Sequence, residues 1–350
     1  MSCQVLYRLP HKKHYVTLEQ KHGEPLEINS LSQLNEKKGF VVAPFQASDE
    51  YPILLIRPDV VFSCETDGHI PADLHFPPAW ATPYETIEHR DEYMDDFSRF
   101  HSQLINGRFS KLVLAREATL LTEEPVDPKI LFFEACHRYP RLFIALVSMP
   151  DGTSWLTATP EILLEGIGEE WRTIALAGTM QLEGDELLGE GENIRWSPKN
   201  IQEQRYVANY IGECLKGFSI DFKEEGPYTV RAAHLVHLRS DFCFKRKHLP
   251  IGNLLEVLHP TPAVCGLPKK EAYNFIIQNE YSPREYYSGF MGPLGIDDAT
   301  HLYVSLRCLH TNGTEHHLQA GGGLLKESLP EQEWQETQAK MQTMRSLFYK

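Results

Sequence analysis

A chain of 350 residues with a formal net charge of -14 disfavours nucleic acid and anionic membrane as partners, and any anionic small molecule would need a local cationic site. With 42% hydrophobic and 23% charged residues it falls in the globular range and is long enough to bury a core without staples. Its seven scattered cysteines include no CxxC pair, no apolar run nears the ~18 residues of a membrane span, and MSCQVLYRLPHKKHY lacks a signal-peptide core, so a cytoplasmic protein with reduced thiols is expected.

In chain order, VLYRL, GFVVAPF and PILLI are apolar runs between polar stretches and read as strands. IPADLHFPPAWATP (70–83) reads as a loop that parts an N-terminal section, about 1–85, from the remainder. A helix is expected over about 85–106, ending at Asn106-Gly107, followed by a strand over 109–120 and a helix over 127–140. LFIALVSMP and TSWLTATPEILLEG read as strands joined by a turn at Asp151-Gly152, and WRTIALAGTM as another strand. In WSPKNIQEQRYVANYIGECLKGF, Ser197 can cap a helix, Pro198 suits its first turn and Gly217 can close it.

His234 and His237, three apart, are placed on a helix with structural roles. HLYVSLRCLHTNGTEHHLQAGGG reads as a hairpin around Asn312-Gly313, with His316 and His317 in its loop. Ser328 and Glu331 have the spacing of a capping box ahead of a terminal helix, with Pro330 in its first turn. Strands in hairpin order, flanking helices and no βαβ alternation give an α+β fold built on antiparallel sheets.

Five groups carry candidate chemistry. At ~100° per residue, Val207, Tyr210 and Cys214 share a helix face with Glu203, which centres a carboxylate on the stripe to be buried. That charge needs a cation, either an ion-pairing Arg or Lys or a metal. On the terminal helix Glu336 and Lys340 are four apart in the favourable order, with Glu333 on the adjacent side. A solvated salt-bridge face is the plain reading, although Leu347 shares that face. The glycines of AGGGLLKES let backbone N–H groups approach an anion, or form a flexible turn. Lys111 alternates with Phe109, Val113 and Ala115, as an edge-strand gatekeeper or as a desolvated general base. Arg307, opposite Leu302, Val304 and Leu306, is either solvent-facing or a two-pronged carboxylate clamp.

The stretches FSKLVLAR, TATPEILLE, ALAGTM, SPKNIQEQRYVANYI, LHPTPAVCGLP, SPREYYSGFMGPLG, LYVSLRCLH and AGGGLLKESLPEQEWQETQAKMQTM occur in one order over about 108–345. Together they resemble the chorismate-utilising enzymes, which include anthranilate synthase component I, aminodeoxychorismate synthase, isochorismate synthase and salicylate synthase. The resemblance implies an antiparallel sheet sandwich with outer helices and an active site between its layers. It implies one catalytic domain over 1–350, with 86–350 as the core and 1–85 less clearly matched.

The resemblance also implies magnesium held by Glu203 and Glu336, with Glu333 and Asn200 acting through water. It assigns Arg307, Gly321, Gly323 and Lys340 to the two carboxylates of chorismate, Tyr287 to its enolpyruvyl side, and Gly178 and Thr179 to the ring carboxylate. His259 is expected close to the reacting ring. Lys111 matches the Lys of isochorismate and salicylate synthases, where amine-installing members have Gln. Ala177 stands where aminodeoxychorismate synthase has an adduct-forming Lys. Both point to water as nucleophile, with Lys111 taking its proton as it attacks C2 and Glu161 protonating the departing C4 hydroxyl.

The expected enzyme is therefore an isomerase that makes isochorismate, for menaquinone or siderophore synthesis. The alternative is a salicylate synthase, which goes on to eliminate pyruvate. No glutaminase subunit is implied, and a monomer is the expectation. Two departures are visible: Gln204 replaces the usual His after the magnesium glutamate, and Asn200 replaces an acid, which is expected to weaken metal affinity.

Overall fold

The computed structural model describes residues 3–65, 82–182, 194–218, 221–246 and 250–349. The Pro-rich loop expected at 70–83 falls almost wholly outside them. The N-terminal section supplies β1 (Cys3–Arg8), β2 (His14–Gln20), β3 (Leu26–Ile28), β4 (Gly39–Ala43), β5 (Ile53–Ile56) and β6 (Val60–Glu65). Then come β7 (Glu85–Ile87), α1 (Arg90–Ile105), β8 (Lys111–Leu121), α2 (Pro128–Arg138), β9 (Phe143–Ser148), β10 (Ser154–Thr159), β11 (Ile162–Ile167) and β12 (Glu170–Gln181). After α3 (Pro198–Gly217) follow β13 (Phe222–Ala232), β14 (Leu235–Lys245), α4 (Ile251–Leu258), β15 (Gly266–Leu267) and α5 (Lys269–Asn279). The chain closes with β16 (Phe290–Leu294), β17 (Ala299–Val304), β18 (Cys308–Asn312), β19 (Glu315–Leu324) and α6 (Pro330–Arg345).

These strands form two antiparallel sheets. The first runs β15-β8-β19-β18-β10-β9-β1-β2-β6, with β7 also on β8. The second runs β13-β14-β12-β11-β17-β16-β4-β5-β3. The N-terminal section therefore adds strands to both sheets. The sheets pack face to face through Tyr7, Phe40, Val42, Met291 and their neighbours, and the Phe143 and Tyr303 rings stack at 4.3 Å. Burying a large apolar side chain stabilises by about 1.5–3 kcal/mol.

The outer faces are covered by helices. Leu131 and Phe132 of α2 and Met341 and Met344 of α6 pack with first-sheet residues such as Leu146 and Leu318. Val207 and Ile211 of α3 and Leu254 and Leu255 of α4 pack on the second. Strand β12 shows the pleat at work: Ile174 and Leu176 join the core between the sheets, while the smaller Ala175 and Ala177 join the core beneath α3.

Several expectations need correction. The helix expected from 85 starts at Arg90, and Glu85–Ile87 instead pairs with β8, whose edge opposite β19 offers open backbone groups there. His237 lies within β14 and His234 in the turn before it, because β14 pairs along its length with β12 and β13. His316 and His317 lie in β19, with His316 buried and bonded to Thr311 and Thr122. Gly217 is the last residue of α3 and has no left-handed φ.

Ser197 does cap α3, accepting from the Asn200 N–H at 3.2 Å, with Pro198 first in the helix. Ser328 does not cap α6. Its hydroxyl accepts from the Leu325 N–H at 3.0 Å, Leu329 occupies the cap position, and Glu331 meets Arg90 at 2.5 Å. Among the described residues no helix is long and apolar enough to cross a membrane.

Candidate active site

Twice near one pocket the chain passes from one sheet to the other. TSWLTATPEILLEG splits into β10 of the first sheet and β11 of the second, and the crossing falls at Pro160-Glu161. The return crossing, from β17 to β18, falls at Ser305-Leu306-Arg307. The two are tied together: the Val304 N–H donates to the Glu161 carbonyl at 2.9 Å, and the Thr157 hydroxyl donates to the Leu306 carbonyl at 2.8 Å. Arg307 has a φ of 50°, a left-handed conformation that costs a non-glycine residue about 1–3 kcal/mol.

The crossings bring sequence-distant residues to one wall. Glu161, Gly178, Thr179, Glu203, Tyr287, Arg307, Gly321, Gly323 and Lys340 line the pocket, with apolar Val113, Leu176, Val264 and Leu306. Lys111 joins through Glu203: its amine is wholly buried and lies 3.1 Å from Glu203 Oε1. It belongs to β8, which lies between β15 and β19, so it guards no open edge. Lys340 donates to Glu336 Oε1 and to the Gly321 carbonyl, both at 2.8 Å. Asn200 is buried on α3 beside Gly178. His259 stands apart. It lines a separate apolar cavity with Phe45, Ile53 and Tyr273, and its Nε2 lies 3.2 Å from the Pro44 carbonyl. Burial drives its imidazole down to about 3.

Glycines make room at two places. The β12 ladder shifts register between Ala177 and Thr179, and Gly178 bulges with a φ of 72°. In β19 a Cβ on Gly323 would lie 2.0 Å from Glu203 Oε1. A Cβ on Gly322 would lie 3.4 Å from Glu333 Oε2 and 3.8 Å from Glu336 Oε1. The glycine run sits inside a strand and leaves room for Glu203 of α3 at Gly323 and for Glu333 and Glu336 of α6 at Gly322. Each carboxylate leans on a lysine: Glu203 on Lys111, Glu336 on Lys340, and Glu333 on Lys199.

Burial raises the Glu161 carboxyl to about 8, against the pull of Lys111 and Lys340, and leaves its Oε1 without a partner. A carboxyl so placed holds a proton to give. Burial also raises Glu333, helped by the neighbouring Glu336 charge. Burial would raise Glu336 too, but Lys340 and Lys199 outweigh it and hold that carboxylate below its ordinary range. Burial raises the Tyr287 hydroxyl and lowers the Arg307 guanidinium to about 10.

His237, read from the sequence as structural, is a pocket residue. Burial and the Arg307 charge push its imidazole well below its ordinary value, so it is neutral. With Nδ1 3.2 Å from the Gly178 carbonyl, that nitrogen carries the proton, and Nε2 accepts from Arg307 Nη2 at 3.0 Å. The alternation in LVHLRSDF was the signal for a strand, and three-residue spacing hid it.

The family described as chorismate binding enzyme matches residues 72–348. The isochorismate synthase EntC of Escherichia coli K12 is 30% identical over 242 residues, 68% of this chain and 62% of that protein. The isochorismate synthase DhbC of Bacillus subtilis is 30% identical over 267 residues, 73% of this chain and 67% of that protein. This chain thus spans under two thirds of EntC. In fold, it matches the menaquinone-specific isochorismate synthase MenF of Escherichia coli with a TM-score of 0.83 at 22% identity, covering 99% of this chain and 89% of that one. It matches anthranilate synthase component I of Streptococcus pneumoniae with a TM-score of 0.74 at 16% identity, covering 99% and 92%. The chain belongs to the family of chorismate-binding enzymes.

Proposed function

We propose that the protein is an isochorismate synthase, an isomerase that adds water at C2 of chorismate and releases the C4 hydroxyl. The observation that carries this reading is Arg307, a buried cation that faces no carboxylate among the described residues and shares a pocket with the proton-bearing Glu161. A buried charge without a counter-ion is costly, and a carboxylate substrate supplies one. Lys340 and the glycines of β19 stand ready for the second carboxylate, and Tyr287 for the enolpyruvyl group.

Lys111 accepts the proton of the attacking water. Glu161 gives its proton to the departing hydroxyl, which leaves as water, so one water enters and one leaves. Ala177 lines the pocket with no amine, which favours water over a covalent lysine adduct. EntC and DhbC are named as isochorismate synthases, which favours that product over salicylate.

Magnesium fits the residues present. Among the described residues no group of three or more His, Cys, Asp or Glu stands as placed in a set that could hold a metal ion, and each of the three carboxylates lies against a lysine. The donors nevertheless suit a hard cation: Glu203 lies against Gly323, Glu333 and Glu336 lie against Gly322, and Glu333 Oε2 is buried without a partner. Glu203 and Glu336 would hold it, with Glu333 and Asn200 acting through water. A bound magnesium ion would offset the ring carboxylate's charge and draw electron density toward it. We further assign the protein to the cytoplasm, as a monomer that works without a glutaminase subunit.

Incubation of purified protein with chorismate and magnesium tests the reading. Isochorismate should accumulate. Salicylate with pyruvate would move the assignment to a salicylate synthase, and ammonia-dependent amination or no turnover would overturn it.

A further inference from the structure

Lys199 has no role in the chemistry above and is oddly placed. It is the second residue of α3, in a first turn that holds no acidic residue, where the positive end of the helix dipole disfavours a cation. Its amine reaches across to α6 and pairs with Glu333, and Glu336 and Glu203 attract the same charge. One ammonium thus faces all three carboxylates that suit a divalent cation.

The three lysines of this cluster are not held alike. Lys111 is wholly buried in β8. Lys340 is tied to a backbone carbonyl as well as to Glu336. Lys199 has its hydrogen bond to Glu333 and keeps 23% of its side chain exposed, so its flexible stem can carry the charge out to water. Glu333 cannot follow, because its side chain is 2% exposed. Glu333 and Glu336 lie against Lys199 and Lys340, and a divalent ion added there would meet Lys199 as a like charge.

We propose that Lys199 is a tethered competitor of the divalent cation: it neutralises Glu333 while the metal is absent and withdraws when the metal binds. This rests on the magnesium reading above. The lysine holds the three carboxylates together without metal and thereby weakens metal binding.

The test uses the full-length protein stripped of metal, as wild type, Lys199→Gln and Lys199→Arg. Manganese titration followed by electron paramagnetic resonance gives affinity, and thermal unfolding is run in chelator and in saturating magnesium. Lys199→Gln should bind manganese about tenfold more tightly than wild type. It should unfold at a lower temperature in chelator, with the gap closing in magnesium. Lys199→Arg, which keeps the charge, should stay near wild-type affinity. Lys199→Met, which keeps the stem, provides the same comparison if the amide does not fold. Equal or weaker binding by both neutral variants overturns the proposal and leaves the magnesium reading intact. A wild type that binds no divalent cation, even with chorismate present, overturns the magnesium reading itself.

Discussion

Arg307 donates from Nη2 to Nε2 of His237 across 3.0 Å, so a buried guanidinium rests on a neutral imidazole instead of a carboxylate. A carboxylate at that position would satisfy the cation permanently. The imidazole aims it and leaves its charge for a ligand. Arg307→Lys should therefore raise the chorismate KM by about 10–100-fold, since a hydrogen bond to a charged group is worth about 1.5–3 kcal/mol and Lys lacks the planar fork. Steady-state kinetics at saturating magnesium checks this, and an unchanged KM would remove Arg307 from the substrate site.

Glu161→Gln should lower kcat by about 10²–10⁴-fold while chorismate binding persists, the usual range for loss of a general acid. In the wild type, turnover should fall as pH rises through about 8, where Glu161 gives up its proton. Stability follows the same group. Its folded value is raised above the ordinary 4.5, so the folded state keeps a proton that the unfolded chain has lost. That costs stability between those two pH values, by at most about 1.4 kcal/mol per unit. Glu161→Gln should therefore unfold at a higher temperature than wild type at pH 8, with the advantage shrinking toward pH 4.5. A fixed offset across that range would refute the assignment.

Lys111→Ala should abolish hydration, by about 10²–10⁴-fold in kcat, and retain chorismate binding. Rapid-quench turnover set beside calorimetric binding separates the two effects. Normal turnover would mean that another group takes the proton from water.

Two adjacent glycines should respond differently to one methyl group. Gly323→Ala places a Cβ 2.0 Å from Glu203 Oε1 and must displace that carboxylate. Manganese affinity should fall by about tenfold or more, a loss of about 1.4 kcal/mol. Gly322→Ala meets its nearest carboxylate oxygen at 3.4 Å, an ordinary contact, and should stay close to wild type. Similar losses in both would place the metal elsewhere.

Much of the site was legible because its residues sit in strongly patterned elements. Glu203 on an apolar helix face announces a buried charge by periodicity, whereas for Lys111 the alternation also fitted an exposed edge strand and the resemblance pointed to a base. The sheet crossings were not legible. Alternation reports that TSWLTATPEILLEG is extended, not that its two halves belong to different sheets, and Glu161 owes its burial to that change. His237 was hidden because three-residue spacing also fits a helix. Lys199 was hidden because its partner lies 134 residues away on α6.

The N-terminal section, which resembles the family least, flanks the rest of the chain in both sheets. Strand β1 covers the side of β9 and strand β4 the side of β16. These joints are made by backbone amides, which any sequence possesses. Such a segment can drift far in side-chain identity and still seal both sheets, whereas its removal would bare two interior strands as adhesive edges. A fragment trimmed to the family-matched residues should therefore aggregate even though it keeps every group to which a catalytic role is proposed.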